Sequence, residues 1–355
     1  MSTLEGPDVS DARPGRRAWI TRIVLLVVAA LSTVTVVRLV GRVDWDAARD
    51  ALTHLSWWHA IVLLAVVLVR QVLLAMPLRF FIRGVTFYRA TINDLGATLM
   101  GLIAPPPSDI ALRVAMFKSW GVSPAKGLAG TVMNSLTFYI ARFSGPLLGF
   151  ILLLAVGEAP SFRWLELLSI AVAVAILVTV LMVVRSDPLA RTVGTRAGRI
   201  VRRFRRSVDP DRWADACQSF RADIAERFHS GFPLAVLSQA GMMVVDLAAL
   251  VLCLRFVGVT ADEVGVVWIA IAYLFAFPFT VFPLWGIGIV DALILAALVE
   301  AGGPQVEAAA VAGLIVWRVF TVGVPVLLGA LAVAVWRREV AGRSPGLTPR
   351  PGESE

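Results

Sequence analysis

Six ionisable side chains stand where this sequence is otherwise apolar. Arg70, Arg142 and Arg318 fall inside long apolar runs, Asp246 inside another, and Asp109 and Asp291 just after breaks in two more. An ionised group at mid-bilayer costs about 2.5–3.5 kcal/mol on translocon-based scales, so such residues face a protein interior or cavity and pair there. Arginine presents a planar fork matched to phosphate and carboxylate, and it stays charged when desolvated. Arginines beside broken helix ends, whose free amides also favour anions, would suit a lipid phosphate. The carboxylates would neutralise them in the empty state, or hold a proton or cation that drives a cycle. The competing reading is structural, with each arginine merely tying helices together through an aspartate. Arg70 has no counterpart in the second half of the chain and fits that reading best, with Asp246 as a candidate partner.

The elements that must position these residues are membrane spans. Hydrophobic residues make up 58% of the 355, charged residues only 16%, and the mean hydropathy is +0.79. A soluble chain carries about 25% charged residues, whereas the apolar runs here are long enough to cross about 30 Å of hydrocarbon. The fold class predicted is all-α, a polytopic membrane helical bundle. Spans are expected at 19–40, 59–81, 126–156, 164–184, 232–256 and 306–336. A short interfacial helix is expected over 44–58, ending in Trp57 and Trp58, and an amphipathic helix over 213–228. The domain reading is a cytoplasmic tail over 1–17, a membrane domain over 18–340 and a cytoplasmic tail over 341–355.

The net charge of +8 sits mainly between the apolar runs, and 185–230 carries eleven Arg against six acids. Basic loops beside spans are the positive-inside signal, so the 185–230 loop and both termini are expected in the cytoplasm. Nucleic-acid binding would require aromatics interleaved in a folded basic surface, and the sequence shows none. The run after Arg13, Arg16 and Arg17 exceeds a signal-peptide core and reads as an uncleaved anchor. Arginine makes up 31 of the 33 basic residues, a bias that hints at a GC-rich bacterial genome and a plasma-membrane location.

Two stretches are interrupted. Residues 91–117 are broken by Pro105, Pro106 and Pro107, and residues 264–301 by Pro283, Gly286 and Gly288. Broken helices at membrane depth survive only where protein or a water-filled cavity satisfies the freed backbone. A span, a broken hairpin and a span thus occur over about 59–156 and again, with opposite flanking charge, over about 232–336. Asp109, Gly121, Pro124, Arg142, Pro146 and Gly149 echo Asp291, Gly302, Pro304, Arg318, Pro325 and Gly329 with slipped spacing. Two inverted repeats with interrupted helices at matching places predict a substrate site near the midplane, between the halves.

Catalytic signals are weak. His54, His59 and His229 lack metal-ligand spacing, Cys217 and Cys253 define no disulfide framework, and no P-loop or dinucleotide fingerprint occurs. No cofactor or metal is expected, and no enzymatic activity. Two alternatives stand beside transport. One is a membrane-embedded transferase acting on lipid-linked substrates, with Asp109 and Asp291 as its carboxylates. The other is a non-catalytic partner subunit that docks a protein through the 185–230 loop.

The stretch Pro107-Ser-Asp-Ile-Ala-Leu-Arg113, then Trp120-Gly-Val and a span carrying Arg142, resembles a first family signature. A second lies in Pro283-Leu-Trp-Gly-Ile-Gly-Ile-Val-Asp291, then Gly302, Trp317-Arg318 and Pro325 to Gly329. The family is the flippase-like integral membrane proteins, named for the transmembrane region of lysylphosphatidylglycerol synthases, and the likeness covers about residues 20–340. The resemblance implies translocation of an anionic phospholipid or polyprenyl-phosphate-linked lipid between leaflets. It places Asp109, Arg113, Asp291 and Arg318 on positions that mark the family. Two departures stand out. Three prolines replace the usual glycine-rich first loop and remove amide donors, and Asp291 stands where Glu is frequent. The soluble aminoacyl-transferase domain of the bifunctional synthases is not expected with it, so no synthase activity carries over.

Overall fold

In a computed structural model of the chain, the described residues are 45–104, 108–157 and 210–342, with 171, 174, 175 and 178. The span expected over 19–40, most of that over 164–184, the three prolines, the tails but for residues 341 and 342, and most of the basic loop lie outside them. Within these residues there is helix and turn and no strand.

Each helix starts where the sequence supplies a stop. Ser56, Thr86 and Ser123 adopt extended backbone ahead of α2 (Trp57–Phe81), α3 (Phe87–Ile103) and α5 (Pro124–Ala155). The Thr86 hydroxyl accepts the Arg89 amide, and Pro124 occupies the first turn of α5, where its missing N–H is harmless. Between α3 and α5 lies α4 (Ser108–Ser119), which ends at Gly121 with φ of +80°. A short helix α1 (Trp45–Thr53) forms inside the expected 44–58 but stops before Trp57 and Trp58, which open α2 instead. It packs on a helix from the far end of the chain, α9 (Glu307–Arg318).

The second half begins with α6 (Pro210–Phe256), which corrects one boundary. The helix expected over 213–228 is no separate element. It runs unbroken through Pro233 into the span, whose apolar stretch starts at Gly231. Arg255 then closes the exit turn by donating to the carbonyls of Val259, Thr260 and Val264 at 2.7–2.8 Å. Helix α7 (Val266–Ala276) gives way to 3₁₀ turns at Phe277–Val281 and Pro283–Gly286 before α8 (Ile289–Gly302). The last membrane segment is α9, a π-helical turn at Val319–Gly323, and α10 (Val324–Gly342).

Among the described residues, four stretches are long and apolar enough to span a bilayer: Trp57–Phe81, Lys126–Ala155, Gly231–Phe256 and Pro304–Gly342. They coincide with four of the expected spans, and the chain is an all-α membrane bundle. The hairpin helices α3, α4, α7 and α8 have 17, 12, 11 and 14 residues. Each falls short of the roughly 20 residues a single crossing needs.

Helix α2 packs along α6 more extensively than any other described pair, and the two run antiparallel. His59 stacks on Phe256, Arg70 meets Asp246, Ser238 donates to the Leu73 carbonyl at 2.6 Å, and Gly231 lies against Phe80. Around this pair the hairpins cross over. The first-half hairpin helix α3 packs on α10, and the second-half hairpin helix α7 packs on α5. Both seams use glycine for close approach. A Cβ at Gly329 would lie 2.5 Å from the Leu95 carbonyl oxygen, and one at Gly145 would lie 2.9 Å from that of Leu274.

Candidate functional site

The site is built where the hairpin breaks face the middle of the long helices. Two adjoining cavities lie there, one of about 330 Å³ and a deeper one of about 70 Å³. Thr98, Phe138, Arg142, Thr280 and Trp285 wall both, so Arg142 stands at their junction. Asp109 and Arg113 line the larger cavity, and Arg70, Asp246 and Arg318 line the smaller. Of the seven residues read from the sequence, six therefore border one continuous polar region. Asp291 reaches it through Arg318, whose Nε donates to Asp291 Oδ1 at 2.6 Å.

Three of the four arginines are neutralised. Arg70 Nε donates to Asp246 Oδ1 at 2.7 Å, and Tyr273 holds the other oxygen of that carboxylate at 2.9 Å. Arg113 grips Asp94 at 2.7 Å and Asn93 at 3.0 Å. Gln71 bridges the two clusters, accepting from Arg70 at 3.3 Å and donating to Asp94 at 3.5 Å. The result is a buried polar chain from Arg113 on α4 through α3, α2 and α6 to Tyr273 on α7, and it joins both hairpins. Asp291 also accepts the Gly288 amide at 2.8 Å, which caps α8 across the backbone break.

Arg142 differs. It is 5% exposed, and no hydrogen bond or ion pair joins it to the described residues, with Nε buried and unpartnered. Its guanidinium carbon lies 4.1 Å from the Phe138 ring centre, with Tyr139 and Phe277 at 5.8 and 5.9 Å. A desolvated cation–π contact contributes about 2 kcal/mol, whereas removing an ion from water costs several kcal/mol even after relaxation. The rings orient the fork but leave its charge under-compensated, and the cavity opens onto it. Asp109, in the first turn of α4, is likewise unpaired among the described residues and borders the same space.

Sequence reasoning placed Arg70 below the other arginines, yet it walls the deeper cavity beside Arg318. Asp94, Gln71, Tyr273 and Trp285 escaped it. Asp94 lay inside the first interrupted stretch, and the Asn93-Asp94 pair just ahead of the apolar run was the available signal. Trp285 sits between the cavities with φ of +54°, a strained backbone for a non-glycine residue.

A model of the lysylphosphatidylglycerol synthase transmembrane region matches residues 22–329, most of the chain. The chain belongs to that family. The match takes in both hairpins and every charged residue of the site, and it ties this membrane protein to lipid modification or transport. A search of the curated proteins finds no match.

Proposed function

We propose that this family member translocates an anionic phospholipid or a polyprenyl-phosphate-linked lipid between the leaflets of a bacterial plasma membrane. The observation that carries the reading is Arg142, a buried guanidinium with no counter-ion among the described residues, at the junction of two cavities. A phosphate would receive its fork as a charge-assisted, bidentate contact. The larger cavity, at about 330 Å³, falls at the lower end of the range for ligand sites, about 300–1,000 Å³. That space holds a head group and leaves acyl chains to the surrounding bilayer.

Two inverted repeats complete the proposal. Their support is the reciprocal pairing of α3 with α10 and of α5 with α7 about the antiparallel α2–α6 pair. Gly149 sits on Leu274 and Phe275 of the second hairpin, much as Gly329 sits on Leu95 and Leu99 of the first. Such a pair of halves places a site at the midplane and supports alternating exposure of it.

The test is native mass spectrometry of the purified protein beside Arg142→Ala and Arg318→Ala, followed by flux of the retained lipid in vesicles. A phosphate-bearing lipid held by wild type and lost from Arg142→Ala is expected. The same unselective lipids on all three proteins would refute the reading and favour a partner subunit.

A further inference from the structure

We propose that Asp109 and Arg142 form the opposite number of the Asp291–Arg318 pair, open in this structure, and that the two pairs close alternately. The inference rests on the translocation reading and supplies its gate. Asp109 and Asp291 occupy the same place, the first turn of the second helix in a broken hairpin. Arg142 and Arg318 both stand well inside the long segment that follows, each ahead of a proline and a glycine that meets the other half's hairpin. Yet the second pair is closed at 2.6 Å, while the first makes no contact and flanks the larger cavity. One half is sealed and the other is open.

The backbone differs in step with the charges. Helix α5 runs through Arg142 without interruption, whereas a π turn, Val319–Gly323, follows directly on Arg318. A π turn winds more residues per turn than an α turn and recurs at functional sites. Rewinding it would rotate Arg318 relative to α10 and draw it from Asp291. The equivalent winding in α5 would carry Arg142 towards Asp109.

Cargo enters this exchange by competition. A phosphate on Arg142 occupies the guanidinium that Asp109 needs, so the first pair stays open while cargo is bound. Departure of the phosphate leaves two unpaired charges at one cavity, and closure cancels them. An anion with affinity for only one of two states shifts the balance by that difference in affinity.

Single-cysteine reporters test the gate. Leu102 borders the open cavity and is 37% exposed, whereas Leu295 is 3% exposed and stands four residues after Asp291, as Arg113 stands four after Asp109. Leu102→Cys and Leu295→Cys are placed separately in a Cys217→Ser background, with the fully buried Cys253 retained. Each is reconstituted and labelled with an impermeant maleimide from either face. Asp291→Asn should raise labelling at position 295 and lower it at position 102, each by about tenfold. Asp109→Asn should leave position 102 open and position 295 protected. Arg318→Lys, which loosens the pair without deleting its charge, serves if Asp291→Asn fails to fold and should shift both rates in the same reciprocal sense. Unchanged rates, or rates that rise together at both positions, overturn the proposal. Lipid flux through the two cysteine reporters that keep Asp109 and Asp291 separates the two claims. Reciprocal labelling without flux leaves the gate and removes the cargo reading, and flux without reciprocal labelling does the reverse.

Discussion

Arg70 Nε stands 2.7 Å from Asp246 Oδ1, and the Tyr273 hydroxyl holds the other oxygen of that carboxylate from a third helix. Asp246 is thereby shared between the central α2–α6 pair and the second hairpin. Loss of one partner leaves a buried charge uncompensated, at a cost of about 3–5 kcal/mol. Asp246→Ala and Arg70→Ala are each expected to lower the thermal midpoint in detergent substantially. The double variant Arg70→Met/Asp246→Leu should recover most of that loss. Additive losses in the double variant would show that the two residues act separately.

Arg142 should behave in the opposite way. Its charge has no partner among the described residues, so Arg142→Met removes a desolvation cost and is expected to stabilise the fold by about 1 kcal/mol. The same variant should lose its retained phosphate lipid. Differential scanning of wild type and variant, beside native mass spectrometry, measures both effects. A destabilised Arg142→Met would instead mark the side chain as structural.

Two glycines of the last segment should separate packing from winding. Gly329→Ala drives a Cβ to within 2.5 Å of the Leu95 carbonyl oxygen and should cost about 1–3 kcal/mol. Gly323→Ala meets nothing within 4 Å and should be neutral or stabilising by up to about 1 kcal/mol. Chemical or thermal unfolding of the two variants gives the comparison directly.

The loop between α6 and α7 carries a pH signature. Glu263 accepts the Thr260 amide at 2.8 Å and its hydroxyl at 2.9 Å, and these bonds hold its carboxyl below the ordinary glutamate range. A carboxyl depressed in the folded state contributes stability above its unfolded value and loses it as pH falls through the folded value. Thr260→Val, which keeps the amide bond and deletes the hydroxyl one, should therefore lower the thermal midpoint slightly at neutral pH. The difference from wild type should vanish in acid. A difference that persists in acid would assign the effect to packing.

The spans were legible because about 20 unbroken apolar residues have few other uses. The two hairpins were legible because proline and glycine stop helices wherever they cluster. Residues such as Arg142 and Asp291 stood out by charge alone. Charge sign alone makes Asp246 a candidate partner for Arg70 from 176 positions away, but nothing in the spacing marks Asp94 as the partner of Arg113 across a turn of the hairpin. Local spacing carries no trace of such contacts. The continuity of α6 through Pro233 was hidden as well, because a proline and a change from polar to apolar composition both read as a boundary. Asp94 was passed over because it precedes the apolar run it serves, and only the fold of α3 against α4 turns it inward.

The glycine seams have a mechanical consequence. Where Gly145 meets α7, and Gly329 meets α3, a backbone carbonyl of the neighbouring helix rests directly on the glycine. Interlocked side chains act as teeth, and shifting them by one notch requires several rotamers to change at once. Bare peptide against bare peptide is a smooth bearing, across which a hairpin can slip in small steps without unlocking anything. The stiffness of this molecule therefore resides in the charged rungs, and the tracks beside them are left free to run.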